Sequence, residues 1–420
     1  MTYKAYSNIE SKGSADRVAD RIADSIIDKY IFKDHDAMIK CQAILAPGLV
    51  TVYIEGYTSE YDVNIDQTVR AVLTSVNGPN FSDIDPDSYS INIIRKTRYP
   101  LRSTWDTTID NGASCSCTVE GYATSETEEM IPLHEKMAYL ILDTMDRIRE
   151  EGKLMKYLGH ERKCQVGVIY DSDKGHPMID SIHVNTQARF EYSNYNTDEE
   201  DIKDKLKNDL IFIVMDRILS EHPELKEYIS PDIQYNIDRC SCYSINGVFQ
   251  TIGVSGKNLG SGFKYCGLTH NDTRRSATLA ARNVAKNMVA ADVADKVQVE
   301  LTYMQGIAAP VSIKVNTNGT NKSSLSEEEL SKMVDAVFDL RHQANITRLR
   351  MGNPVYSEYA EHGIEGFTSK PVRKTIFHNI MEYDPEIAEI QLFPWEVCDK
   401  TDEIKDYIKN SESDNILTQE

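Results

Sequence analysis

The last third of the chain carries one helical pattern followed by two alternating ones. One face of a predicted helix is lined by apolar residues at i, i+3, i+4 and i+7, namely Ala281, Val284, Ala285 and Met288. Apolar and polar residues then alternate over 297–303 and again over 311–316, as in two strands that each bury one side. Ser326 and Glu329 have the spacing of a capping box that opens another helix. The pattern therefore predicts a helix, a β-hairpin and a second helix.

The same order of patterns occurs twice upstream. The first helices are predicted around 18–26 and 133–145, the hairpins over 38–57 and 166–184, and the second helices over 65–76 and 202–213. Three copies of one unit predict an α+β fold with three similar helix–β-hairpin–helix lobes. The alternative is that an α+β protein without internal repeats produces the same patterns by chance.

The predicted lobes divide the chain into consecutive segments. We assign residues 1–112 to an N-terminal lobe, 113–232 to a central lobe, 233–400 to a C-terminal lobe and 401–420 to an acidic tail. Residues 1–12 are predicted to be a short lead-in, and the acidic tail is predicted to be frayed. Residues 95–112 contain four basic residues without periodicity. They predict a basic, mobile loop, either a lid over an anion or a solvated linker.

The charge of the chain limits its partners. The sequence has 46 basic and 66 acidic residues and a formal net charge of -20. This balance argues against general binding to nucleic acid or to an anionic membrane, so a polyanionic ligand must meet a local cluster of positive charge. No apolar run approaches the ~18 residues of a membrane span, and the N-terminus does not have the pattern of a signal peptide. We therefore expect a cytoplasmic protein.

The eight cysteines favour a reducing compartment. Several lie in strand patterns, where a free thiol behaves as a small apolar residue. Two Cys-x-Cys pairs, at 115/117 and 240/242, could supply four thiolates to a zinc ion. However, alternation within a strand also produces Cys-x-Cys, so the pattern leaves the binding of a metal open.

Two segments contain residues suited to binding phosphate. Asp16 begins a predicted helix, where it either compensates the helix dipole or binds Mg²⁺ beside a phosphate at the same helix end. Residues 253–264 follow a strand predicted at 249–252 and hold four glycines and two lysines, Lys257 and Lys264. Such a segment lets backbone amides approach an anion while ammonium groups neutralise it, or else it is a flexible surface turn.

Six short segments carry the clearest similarity to known proteins. They are Ser11–Asp16, Gly121–Glu128, Cys266–Thr269, Arg275–Asn287, Phe338–Arg341 and Phe393–Glu396. In this order they resemble the methionine adenosyltransferase (S-adenosylmethionine synthetase) family over nearly the whole chain. The resemblance implies three α+β domains and a reaction in which the sulfur of methionine attacks C5′ of ATP. The displaced triphosphate is then hydrolysed to pyrophosphate and phosphate.

The resemblance also implies ligands and partners. Family members use ATP, methionine, Mg²⁺ and a monovalent cation such as K⁺, in a site between two subunits of a dimer. Gln42 stands where the family has a glutamate for the monovalent cation, so that site loses its anionic ligand. We expect a homodimer or a dimer of dimers, in which the partner could also be a catalytic paralogue. We expect no nucleic acid and no membrane as partners.

Several positions can be compared with the family's site residues. Asp16 matches a metal-binding aspartate, Glu55 a glutamate near methionine, and Lys163 a lysine that contacts phosphate. Ser14 stands where the family has its catalytic histidine, and Arg17 stands where it has a lysine. The resemblance thus implies Asp16, Arg17, Lys163 and Ser14 as catalytic candidates and Glu55 as a substrate-binding one.

Other positions depart further from the family. Cys115 falls at an aspartate of the ATP site. Arg274 falls where the second metal-binding aspartate is expected, although Asp272 is close enough to take its place. Much of the family's glycine-rich phosphate segment is absent just before these residues, and Lys257 and Lys264 are the candidates for replacing its phosphate contacts.

Three functional hypotheses follow. The first is a divergent methionine adenosyltransferase in which Arg17, Lys163 and the loop lysines hold the triphosphate. The second is a catalytically impaired paralogue that acts as a nucleotide-binding or regulatory partner subunit. The third is a related adenosyl transfer with a changed substrate. Loss of a general acid–base histidine typically costs ~10²–10⁴-fold in rate, which a slow enzyme could tolerate.

Overall fold

The structure is a computed structural model that describes most of the chain. The described residues are 2–58, 63–80, 84–98, 112–171, 176–188, 199–239, 249, 251–257, 265–376 and 386–417. Lys264 and residues 99–111 of the predicted basic loop therefore lie outside the described residues. None of the described helices is long and apolar enough to cross a membrane.

The described residues form a mixture of strands and helices, which confirms the predicted α+β class. The strands are β1 Thr2–Tyr6, β2 Ile9–Glu10, β3 Met38–Ala46, β4 Leu49–Tyr57, β5 Ser90–Arg98, β6 Cys117–Thr124, β7 Leu158–Asp171, β8 Met178–Ala188, β9 Ile229–Arg239, β10 Gly253–Val254, β11 Lys296–Tyr303, β12 Ser312–Asn316, β13 Lys370–Ile376 and β14 Glu386–Leu392. The α-helices are α1 Ala15–Lys33, α2 Ile65–Val76, α3 Leu133–Glu151, α4 Glu199–Asp209, α5 Asp216–Glu221, α6 Thr273–Ala290, α7 Glu327–Val337, α8 His342–Arg348, α9 Tyr356–His362 and α10 Thr401–Leu417. A π-helix over Leu210–Met215 joins α4 to α5.

The predicted hairpins and helix caps are present. Antiparallel hairpins join β3 to β4, β7 to β8, and β11 to β12, and each is preceded and followed by a helix. The side chain of Asn64 accepts a hydrogen bond from the backbone amide of Gln67 at 3.1 Å at the start of α2. Ser326 and Glu329 form both bonds of the capping box at the start of α7. Alternation and cap spacing are local signals, which is why these features could be predicted.

Three local predictions were wrong. The strand expected at 249–252 lies instead at Gly253–Val254, where it pairs with β3. Residues 95–98 of the predicted loop belong to β5, because they continue its parallel pairing with β4. The acidic tail is not frayed over its described part, since Thr401–Leu417 forms α10 and Ile404 is buried in the main apolar cluster.

Several strands pair with a strand of another predicted segment. β1 and β2 pair with β7, so residues 2–10 are part of a sheet rather than a lead-in. β6 pairs with β11, and β10 pairs with β3. The sheets have the orders β1-β7-β8-β9, β10-β3-β4-β5 and β12-β11-β6, and β13 pairs with β14. The boundaries that we drew along the chain therefore do not separate the sheets, and the division into three lobes stays a prediction.

The buried apolar residues form two clusters. One cluster joins α1, β3, β4 and α2 to α6, β11 and α7, which links the first and last thirds of the chain. The second cluster lies between α3, β7, β8 and α4 in the central third. The first and last thirds thus share a core that neither could complete alone.

A stripe of aspartates runs along α1 within the shared core. Asp16, Asp20, Asp24 and Asp28 recur at every fourth residue, which places them on one face of the helix. The carboxylate of Asp24 accepts two hydrogen bonds from the guanidinium of Arg275, at 2.7 and 2.8 Å, across 251 residues of sequence. It also accepts one from the amide of Gly267 at 2.7 Å. Asp24 is fully buried, so this ion pair is shielded from water.

The neighbouring aspartates bind further backbone amides. Asp20 accepts from the amide of Gly256 at 2.7 Å. Asp28 accepts from the amides of Tyr356 and Ser357, at 2.7 and 2.9 Å. Burial raises the pKa of Asp20 and the pKa of Asp28 to about 6 in each case. The stripe therefore fixes three segments of the C-terminal part of the chain onto α1.

We expect Asp24→Asn to lower the free energy of unfolding by about 3 kcal/mol, because it leaves the guanidinium of Arg275 buried without a counter-charge. Denaturant-induced unfolding followed by circular dichroism measures this change. The matched control is Asp66→Asn in the exposed Asp66–Arg70 pair of α2, which should cost less than about 1 kcal/mol. Equal, small losses in the two variants would contradict the role given to the buried pair.

Candidate active site

The start of α1 is packed against β7. The hydroxyl of Ser14, the N-cap residue, donates to the carbonyl of Arg162 at 3.1 Å. The amide of Ala15 donates to Oε1 of Glu161 at 3.3 Å. Gly13 is required for this approach, because a Cβ atom there would lie 2.3 Å from the carbonyl oxygen of His160. Ser14 is buried, so its hydroxyl serves this contact.

Asp16 lies in the first turn of α1 and bonds to the glycine-rich segment. Its Oδ1 accepts from the amide of Val254 at 2.8 Å. Lys257 Nζ lies 2.7 Å from Oδ1 and 2.9 Å from Oδ2 of the same carboxylate. A Cβ atom at Gly253 would lie 2.1 Å from the carbonyl oxygen of Ala15, so this glycine allows the segment to approach.

Lys163 lies on β7 and is the last member of this group of residues, which we call the first cluster. The register of β2 on β7 places it opposite Glu10, and its Nζ lies 2.5 Å from Glu10 Oε1. Partial burial lowers the pKa of Lys163, but the bond to Glu10 and the charges of Glu10 and Asp16 outweigh it, so the pKa is raised. The structure thus brings Ser14, Asp16, Lys163 and Lys257 together.

Arg17 points away from this cluster. It is buried, it forms an ion pair with Asp20, and it donates to the backbone carbonyl of Ala360. Because Asp20 also binds the amide of Gly256, Arg17 is connected to the glycine-rich segment through Asp20. Its contacts are those of a residue that holds the segment beside Lys257.

A second cluster forms where β6 meets the start of α6. Asp272 is the N-cap of α6 and accepts from the amide of Arg274 at 3.1 Å. Arg274 Nε and Nη2 also donate to the two oxygens of Asp272, at 2.9 and 2.7 Å. Cys115 Sγ lies 3.9 Å from Asp272 Oδ1. No hydrogen bond or ion pair joins the described side chains of this cluster to those of the first.

Cys115 has an unusual environment for a thiol. A hydrogen bond from the thiol of Cys117 lowers the pKa of Cys115 to about 6, and the charge of Arg274 acts in the same direction. The buried thiols of Cys41, Cys164 and Cys266 have raised pKa values instead, mainly because of desolvation. The pKa of Cys115 is therefore shifted in the opposite direction to the pKa values of these three thiols.

Glu55 lies apart from both clusters. It is on β4, on the face of the β10-β3-β4-β5 sheet that α1 and α2 do not cover, and accepts from the hydroxyl of Tyr53 at 3.1 Å. Gln42, on β3, is directly opposite Tyr53 on the same open face. Ile44, Leu49 and Ile94 also lie exposed on this face. A cavity of about 280 Å³ adjoins Glu10 and is also lined by Tyr139 and Phe367, but none of the predicted site residues lines it.

Comparisons with known proteins cover nearly the whole chain. Models of the N-terminal, central and C-terminal domains of S-adenosylmethionine synthetase match residues 2–96, 110–235 and 246–374. The S-adenosylmethionine synthase of Phocaeicola vulgatus is 32% identical, covering 97% of this chain and 99% of the relative. The chain belongs to the S-adenosylmethionine synthetase family. The synthases of Cytophaga hutchinsonii and Bacteroides thetaiotaomicron are 30% and 31% identical, each covering 96% of this chain and 99% of the relative.

The acids at the family's metal positions bind basic side chains in this structure. Asp16 and Asp272, the two acids that the resemblance assigns to metal, are each ion-paired with a basic side chain. Among the described residues, no group of three or more His, Cys, Asp and Glu side chains is arranged to hold a metal ion. The residues present in the described part of the chain therefore do not fit a divalent metal site.

Sequence reasoning missed the acids that anchor the first cluster. Glu10 and Glu161 contact Lys163 and the start of α1, but neither lies in a segment that we had identified as functional. Glu10 could have been found only if residues 2–10 had been recognised as strands. The partner of Cys115 could have been suspected from the Cys-x-Cys pattern, but its effect on the pKa required the structure.

We expect iodoacetamide to alkylate Cys115 faster at pH 7 than Cys41, Cys164 or Cys266, with a rate that rises with pH and is half-maximal near the pKa of about 6. Peptide mapping by mass spectrometry measures this rate for each thiol. The control Cys117→Ala removes the donor, so it should shift the midpoint upward. An unchanged midpoint in Cys117→Ala would refute the thiol–thiol hydrogen bond as the cause.

Proposed function

We propose that the chain is an S-adenosylmethionine synthase, a transferase that joins methionine to the adenosyl group of ATP and releases phosphate and pyrophosphate. The observation that carries this proposal is the grouping of Asp16, Lys163 and Lys257 at the start of α1. Two of these residues match family site residues, and the third comes from the glycine-rich segment. Similarity over the whole length to proteins named S-adenosylmethionine synthase supports the same function.

The reaction makes two demands on the protein. Sulfur forms a bond to C5′ while the bond from C5′ to the triphosphate oxygen breaks, and the electron pair leaves with the triphosphate. The protein must therefore hold sulfur and carbon in line and stabilise the charge that develops on the leaving oxygen. The ammonium groups of Lys163 and Lys257 meet the second demand. The hydroxyl of Ser14 carries no charge, so it contributes by fixing the helix start on β7.

The remaining predicted residues take supporting roles in this proposal. Arg17 is a positioning residue, which acts through Asp20 on the segment that carries Lys257. Cys115 and Arg274 belong to the second cluster and are proposed to contact ATP. Lys264 stays a candidate for a further phosphate contact, and Glu55 stays the candidate for binding methionine. The cytoplasmic location also stays a prediction.

A second copy of the chain is proposed to complete the site. Glu55 and the two basic clusters are not connected by contacts between their described side chains within one chain, which is what a site built from two subunits requires. The open face of the β10-β3-β4-β5 sheet exposes Ile44, Leu49 and Ile94, and covering this face would remove apolar surface from water. We propose that this face lies in a two-fold homodimer.

The other implied ligands and hypotheses receive less support. Gln42 supplies no charge for K⁺, so we do not assign a role to that cation. A regulatory paralogue or a changed substrate is not favoured by the relatives, which are named S-adenosylmethionine synthase. The synthase is therefore the function that we propose for this chain.

We expect the purified protein, incubated with ATP, methionine, Mg²⁺ and K⁺, to form S-adenosylmethionine together with phosphate and pyrophosphate. Lys163→Ala should reduce the rate at least about 100-fold, because it removes a positive charge aimed at the leaving group. Mass spectrometry and a phosphate assay measure the products. Lys332→Ala, in an exposed pair with Glu328 on α7, should leave the rate unchanged. Absence of product from the unaltered protein would refute the synthase.

We expect Ile94→Lys to shift the protein from dimer to monomer, because it inserts a charge into the apolar part of the proposed dimer face. Light scattering coupled to size-exclusion chromatography measures the mass. Phe212→Lys is the matched control, since Phe212 is also exposed but lies on the π-helix rather than on this sheet. If the two variants have the same mass as the unaltered protein, the dimer does not use this face.

A further inference from the structure

Each of the two acids that the resemblance assigns to metal is paired with a basic side chain that is more exposed to solvent than the acid is. The side chains of Asp16 and Asp272 are only 12% and 7% exposed, whereas those of Lys257 and Arg274 are 41% and 36% exposed. In each pair the cation contacts both oxygens of the carboxylate, at distances of 2.7 to 2.9 Å. The same construction thus occurs at two places far apart in the sequence.

These contacts use much of the acceptor capacity of the two carboxylates. Each carboxylate oxygen has two lone pairs. Oδ1 of Asp16 accepts from Lys257 and from the amide of Val254. Oδ1 of Asp272 accepts from both the amide and the Nε of Arg274. Mg²⁺ needs near-octahedral oxygen ligands at about 2.0–2.1 Å, and these two oxygens have no lone pair left for it.

We propose that Lys257 and Arg274 take the place of the family's divalent metal in binding the triphosphate of ATP. This inference rests on the proposed function, because it assumes that the triphosphate binds here. An ammonium group has three donors and a guanidinium has five. Lys257 uses two of its three donors toward Asp16, so one remains. Arg274 uses one donor of Nε and one of Nη2 toward Asp272, so three of its five remain.

A third pair has the same construction at a position where the family itself has a phosphate-binding lysine. Lys163 is 52% exposed and lies over Glu10, which is 9% exposed. The buried acid fixes the direction of the cation in each of the three pairs, so little side-chain freedom is lost when an anion binds. A lysine carries less positive charge than a divalent metal. In this chain, therefore, three oriented cations hold the triphosphate by direct hydrogen bonds.

The test measures tripolyphosphate binding to the full chain by isothermal titration calorimetry, in EDTA and in excess Mg²⁺ at equal ionic strength. We expect the affinity of the unaltered protein to differ by less than about tenfold between the two conditions. Lys257→Ala should lower the affinity in EDTA about tenfold, as loss of a hydrogen bond to a charged group does. Mg²⁺ should restore its binding, because Asp16 is then uncovered and available to a metal.

Asp16→Asn separates the two interpretations of this site. If Lys257 replaces the metal, Asp16→Asn should raise the affinity for tripolyphosphate in EDTA, because removing a negative charge next to the anion outweighs the loss of orientation of Lys257. If Asp16 is a metal ligand, the same variant should lose affinity in Mg²⁺ and keep it in EDTA, which would overturn the inference. Lys332→Ala is the matched control and should bind as the unaltered protein does.

Two further outcomes are distinguishable. If the unaltered protein binds tripolyphosphate at least about tenfold more tightly with Mg²⁺ than with EDTA, the inference is wrong while the proposed synthase stands. If it binds tripolyphosphate in neither condition, the triphosphate site itself is refuted, and the proposed function fails with it.

Discussion

Buried carboxylates on α1 determine how the first and last thirds of the chain fit together. A charged group inside a protein must be matched by donors, because leaving it unmatched costs several kcal/mol (roughly 3–5). Asp20, Asp24 and Asp28 find these donors in Arg275 and in backbone amides between residues 256 and 357, all from the C-terminal part of the chain. A small shift between the two parts would preserve the apolar contacts of the core but would break these hydrogen bonds. They therefore fix the relative position of the two parts.

The candidate site is an extension of the same stripe. Asp16 is its first member, and it binds the glycine-rich segment as Asp20 does one turn further along. The position of Lys257 is thus set by the interactions that hold the fold together. This explains why a chain that lacks the family's histidine and much of its phosphate segment still presents an ordered cation at the start of α1.

Local features were predictable from the sequence, and long-range partners were not. The alternation over 38–57 and 297–316 predicted two hairpins, because a strand with one buried side has apolar residues at every second position. Alternation within a strand does not indicate which other strand pairs with it. The pairing of β1 with β7 and of β6 with β11 could therefore not be predicted. The same limit applies to the site. Asp16 and Lys257 were both candidates, but their bond joins residues that are 241 positions apart.

The exchange of strands has a consequence for how the chain is made. Thr2 pairs with Asp171, so β1 leaves the ribosome about 170 residues before the strand with which it pairs. At a synthesis rate of about 5–20 residues per second, the delay is roughly 10–30 s. During that time β1 presents unpaired amides and the exposed rings of Tyr3 and Tyr6. Until β7 has been made, β1 is therefore an unpaired strand that is open to pairing with other chains.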